Sequence, residues 1–114
     1  MSNGKLRAFI IDPEKQEVSF ARVDRIDADG YETVRAAISC QAFAASPLQM
    51  LSTGEWLYYD DEPSSCAPAA HVAGLGPVRG KSLVVCHDEG GYLSSPICGL
   101  DDVRGLVTFP ANAF

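Results

Sequence analysis

Between Ala36 and Val78 this 114-residue chain contains no lysine and no arginine. Glu55, Asp60, Asp61 and Glu62 all fall inside that stretch, so the middle third carries a negative field without a counter-charge of its own. The net charge is −6, which argues against a nucleic-acid partner, because a phosphate backbone rewards Lys and Arg. Long apolar runs are missing too. Nothing approaches the roughly twenty residues of a membrane span. The opening "MSNGKLRAFIID" has too short an apolar run for a secretory signal and no small-residue cleavage site. The expectation is a cytoplasmic protein with no membrane partner and with its cysteines as reduced thiols.

Those cysteines, Cys40, Cys66, Cys86 and Cys98, have no compact disulfide spacing. They also lack the paired short knuckles of a structural zinc site, since the chain offers only C-x4-H from Cys66 to His71, across a proline. A zinc set of Cys66, His71 and Cys86 with Cys98 or His87 is the alternative. The reading adopted is that most are small buried hydrophobes, with no metal and no cofactor expected.

What is present fits one globular domain over residues 1–114: 46% hydrophobic and 21% charged residues, in a length that buries a single core. "KLRAFII" reads as a strand ending at Asp12-Pro13, which suits the first two positions of a type I turn. "EVSFARV" alternates with period two, placing Val18, Phe20 and Arg22 on one face, and closes a first hairpin. In "YETVRAAISC", Tyr31, Val34, Ala37 and Ile38 recur at helical spacing, which predicts a helix of about ten residues started by Asp29 at the N-cap. "FAASPLQML" and "EWLYYDD" flank Ser52-Thr53-Gly54 as a second hairpin, with Pro47 confining the first of the two to an edge or a bulge. Trp56 and Tyr58 share one face of the second strand, Leu57 and Tyr59 the other.

Residues 62–80 read as a long irregular segment with at most a short extended piece near 70–73. "KSLVVCH" is a strand, "DEGG" its turn and "YLSSPIC" the return, a third hairpin. "LDDVRGLVTF" spaces Leu100, Val103 and Leu106/Val107 for a short closing helix, its acids complementing the helix dipole. The fold expected is therefore α+β: a mostly antiparallel sheet of three hairpins, one main helix packed on it and a short C-terminal helix. The tail "TFPANAF" is suited to covering a sheet edge, within a monomer or across a homodimer.

Three short constellations bear on chemistry. "GLGPVRGKSLVV", from Gly74 to Val85, imitates a phosphate-binding loop. Such a loop needs four residues between its first glycine and Gly-Lys-Ser, and that position holds Leu75. It also needs a helix after the lysine, where this chain has a β-branched run. The segment is thus a turn feeding a strand, with Arg79 and Lys81 left as anion-binding candidates. Cys86-His87-Asp88 suggests a nucleophile and base, but neighbours in a strand point to opposite faces, so Cys86 and His87 do not meet. Tyr59-Asp60-Asp61-Glu62 ends an aromatic strand in three acids, a pattern for acid/base or divalent-cation chemistry. More often it is a solvated acidic turn. It is the place where a partner is expected.

The stretches "AFIIDPEKQEV", "YETVRAAISC", "GEWLYYDDE", "GPVRGKSLVVCHDEGG" and "LDDVRGLVTF" together resemble a family of small bacterial and phage or plasmid proteins of unknown function. The resemblance covers nearly the whole chain. It departs around Pro47 and in residues 63–73. It implies a fold and a mobile-element setting, and no activity or catalytic residue. The function expected is a non-enzymatic accessory or protein-interaction module. The alternatives are a small enzyme using Asp60/Asp61 or Cys86/His87, and an acidic mimic of nucleic acid.

Overall fold

The computed structural model describes residues 5–24, 31–64 and 66–110. In chain order the elements are β1 (Lys5–Asp12), β2 (Glu17–Asp24), α1 (Tyr31–Ile38), β3 (Phe43–Pro47), β4 (Trp56–Asp60), β5 (Ala69–Val72), β6 (Gly76–Arg79), β7 (Ser82–His87), β8 (Leu93–Ser94), α2 (Leu100–Arg104) and β9 (Val107–Thr108). One antiparallel sheet has the order β2-β1-β7-β4-β3, with β8 added on β7. A second, three-stranded sheet has the order β6-β5-β9.

The three expected hairpins all form. In the first, the Asp12 carboxylate accepts the Glu14 and Lys15 amides at 3.1 and 3.3 Å, so the side chain fastens the turn that Pro13 begins. The register then pairs Leu6 with Val23 and Ile11 with Val18, putting apolar residues opposite one another on both faces. β7 is the centre. It pairs with β1 on one side and β4 on the other. Its apolar run follows from that place: Leu83 and Val85 face one layer, Val84 faces the other, and all three are fully buried.

The molecule has three layers. On one side of the large sheet, Val34 and Ile38 of α1 pack on Leu6, Ala8, Val23, Tyr58, Leu83 and Val85. On the other, Phe9, Ile11, Val18, Leu57 and Val84 meet Ala70, Val72 and Val78 of the small sheet and Val103 of α2. Each Val, Leu, Ile or Phe among them contributes about 1.5–3 kcal/mol on burial. α1 ends where Ser39 turns left-handed, at φ 55°, and the Cys40 amide reaches back to the Arg35 carbonyl at 3.1 Å. The expected N-cap Asp29 lies outside the described residues.

The α+β expectation is overturned. With nine strands in two antiparallel sheets and only two short helices among the described residues, the fold is sheet-dominated. Two misreadings account for it. The Gly- and Pro-rich segment 62–80 holds β5 and β6, joined through Leu75, whose amide bonds to the Val72 carbonyl at 2.9 Å. The closing helix stops after five residues at Gly105, and the β-branched Val107-Thr108 pair adds β9 to β5. α1 spans eight residues, caps one face of a sheet whose other face is covered by strands, and is not the principal partner of the sheet. The second hairpin is also looser than expected. β3 ends at Pro47 and β4 begins at Trp56, so the connection runs over residues 48–55. β3 is an edge strand, as its proline requires.

Candidate functional site

β4 runs out of the core at Asp60, and β6 ends beside it at Arg79. Between them lies a cleft of about 380 Å³, lined by Tyr59, Asp60, Asp61, Pro63, Leu75, Pro77, Val78 and Arg79. Its walls are built from opposite chemistry. Tyr59 continues the apolar face of β4 that carries Leu57 and packs with Leu75 against the core. Asp60 and Asp61 form an acidic lip. Asp60 Oδ1 accepts the Glu62 amide at 2.9 Å, which folds the chain back after the strand, and the Asp61 amide donates to the Ala42 carbonyl at 3.0 Å. On the other side, Arg79 Nη1 donates to the Ala67 carbonyl at 2.7 Å, which fixes the guanidinium over the segment before β5. Among the described residues Arg79 forms no ion pair with either aspartate. The cleft therefore presents unpaired charge of both signs over an apolar floor.

Of the residues singled out in the sequence, the fold brings Tyr59, Asp60, Asp61 and Arg79 together and leaves two aside. Glu62 and Lys81 are not among the lining residues. Bringing Arg79 to the acidic lip was beyond sequence reasoning, because it depends on β6 folding back over β4. Leu75, Pro77 and Val78 were read as parts of a turn. Gly74 and Gly80, left-handed at φ 87° and 80°, give that segment its hairpin turn and its exit into β7.

The other constellations come apart or turn inward. Cys86 and His87 face opposite layers. Cys86 lies near the Thr53 carbonyl at 3.8 Å, while the His87 ring nitrogen Nε2 and the Tyr58 hydroxyl share a 2.5 Å hydrogen bond. Trp56 meets the His87 ring edge-on at 5.6 Å, and Phe43 lies 5.5 Å from Tyr58. Burial lowers the pKa of His87, with the Asp88 charge opposing. His71 is exposed on β5, opposite Pro77 and Thr108. Among the described residues, no three His, Cys, Asp or Glu side chains are arranged to hold a metal ion.

The residue that sequence reasoning placed wrongly is Glu55. Counted with the acids of the middle third, it is 1% exposed. Its carboxylate accepts the Ile97 and Cys98 amides, each at 2.8 Å, and the Thr53 hydroxyl. Burial alone favours the neutral acid, but these donors outweigh it and hold the carboxyl below its ordinary value. Burial and the same carboxylate push the Cys98 thiol up to about 12, and burial raises Cys86. No sequence signal distinguishes Glu55 from its exposed neighbours, since its two amide donors come from a loop far along the chain. Its chemistry is that of a structural tie.

No family model, no curated protein and no solved structure matches the chain. The site's own geometry is thus the basis for a functional reading.

Proposed function

We infer that this chain is a non-enzymatic protein-interaction module whose cleft between β4 and β6 receives a short partner segment bearing a basic side chain. One observation carries the reading: an apolar floor of Tyr59, Leu75, Pro77 and Val78 set between an acidic lip and a tethered Arg79. An apolar floor rewards a buried side chain. Asp61 is exposed and, among the described residues, its side chain makes no bond, so it can receive a lysine or arginine next to it. Arg79 keeps its remaining donors for a main-chain carbonyl or a carboxylate on the same segment. Short mixed-charge peptides match this pattern, and the absence of basic residues from Ala36 to Val78 leaves no lysine or arginine of the central strands to compete with them.

The test is selection from a library of short immobilised peptides. The wild-type chain is expected to select segments with Lys or Arg next to an apolar residue. The D60K/D61K variant is expected to lose that selection while keeping its circular dichroism spectrum. Selection that survives charge reversal, or none by the wild type, overturns the reading.

A further inference from the structure

At the edge of the large sheet opposite to β3, β2 is an edge strand of eight residues. Its two faces are covered in part by the helices, yet Phe20 remains 53% exposed. Register places Arg22 directly opposite Arg7 on the neighbouring strand, with both side chains exposed on the face of Phe20. Like charges directly opposite one another destabilise a sheet. This chain has only nine cations for fifteen acids, and two of them form that pair. Among the described residues neither has a carboxylate partner. Arg7 lies 4.9 Å above the Phe20 ring, and Phe20 packs on Phe9 with centroids 5.3 Å apart, so the aromatic and one guanidinium are held in place.

Among the described residues, only a side chain reaches the outer main chain of the same strand. Arg104 Nη2 donates to the Val18 carbonyl at 3.5 Å from outside the sheet. Residues two apart in a strand present their N–H and C=O to the same side, so Phe20 and Arg22 present theirs to that outer edge. No lysine or proline protects it, the usual means of blunting an edge.

We propose that the β2 edge takes an extended acidic peptide as an added strand, whose carboxylates meet Arg7 and Arg22 and whose apolar side chain covers Phe20. Main-chain bonds supply affinity and alternate side chains supply selectivity, as in other strand additions. Charge decides the occupant. A second copy of the chain, paired antiparallel about Phe20, would gather four arginines on one face. An acidic segment instead neutralises the pair. The proposal does not rest on the acidic cleft, which lies across β1, β7 and β4.

A short labelled peptide alternating aspartate with valine, and its lysine counterpart, serve as probes in fluorescence anisotropy. The aspartate peptide is expected to bind the wild type with salt-sensitive affinity and to slow hydrogen exchange at the Phe20 and Arg22 amides. In R7E/R22E its affinity should fall roughly tenfold or more, while the lysine peptide gains. D61N, which adds no cation to the cleft, should bind it as the wild type does, which separates this surface from the cleft. Three results would overturn the proposal: no binding by the wild type, equal binding by R7E/R22E, or a free protein whose Phe20 and Arg22 amides are already protected by self-association or by its own termini.

Discussion

Glu55 Oε2 accepts the amide of Cys98 at 2.8 Å across 43 positions of sequence. Through this bond and its twin to Ile97, one buried carboxylate fastens the loop after β8 to the residue that precedes β4. Replacement by glutamine keeps the volume but loses the charge that makes these bonds strong, so E55Q should cost about 1–3 kcal/mol in denaturant titration. An unchanged midpoint would show that the tie contributes nothing.

The same tie predicts a pH dependence. Folding holds the Glu55 carboxyl below its ordinary value. Its contribution is therefore complete above the ordinary glutamate value of about 4.3 and disappears as pH falls through the lower folded value. Stability measured from neutral to acid pH should drop more for the wild type than for E55Q over that window. Parallel curves would refute it.

Thiol reactivity should follow the packing around that carboxylate. Cys66 is exposed, Cys86 is buried, and Cys98 is raised to about 12 by burial and by Glu55. Alkylation of the native protein near pH 8 should modify Cys66 first and leave Cys86 and Cys98 until unfolding, because the thiolate is the reactive form. Mass spectrometry of the modified peptides reads the order. Equal rates for Cys66 and Cys98 would contradict the geometry.

His87 should titrate below the ordinary histidine value of about 6.5, since burial lowers it more than Asp88 raises it. Its neutral form is favoured by folding, so this contribution is present above the ordinary value and lost as pH falls through the folded one. An NMR titration of the ring protons gives the midpoint. Removing the opposing charge in D88N should lower it further, whereas a rise would mean that burial is not the larger effect.

Gly80 offers a backbone test. It adopts φ 80° where the chain passes from β6 to β7, and an added Cβ there meets nothing within 4 Å. G80A should therefore cost about 1–2 kcal/mol from backbone conformation alone, and G80N less, because asparagine tolerates the left-handed region. Equal cost for the two would point to a steric cause instead.

Three hairpins, the division of β4 into a Trp56/Tyr58 face and a Leu57/Tyr59 face, and the separation of Cys86 from His87 were legible from periodicity alone. These are local properties, since side-chain alternation and turn residues act over a few positions. The rejected phosphate loop belongs with them: the count to Leu75 and the β-branched run after Ser82 decide it without coordinates. Tertiary structure decided the rest. Pairing of β5 with β6 on one side and β9 on the other gives "AAHV" and "GPVR" their place in a second sheet, although the glycines and prolines of this segment read as loop. The burial of Glu55 depends on two amides more than forty positions away, and the cleft depends on β6 bringing Arg79 to Asp60 and Asp61. Sequence pattern encodes which face of a strand is apolar. Only long-range pairing decides which charges that face meets.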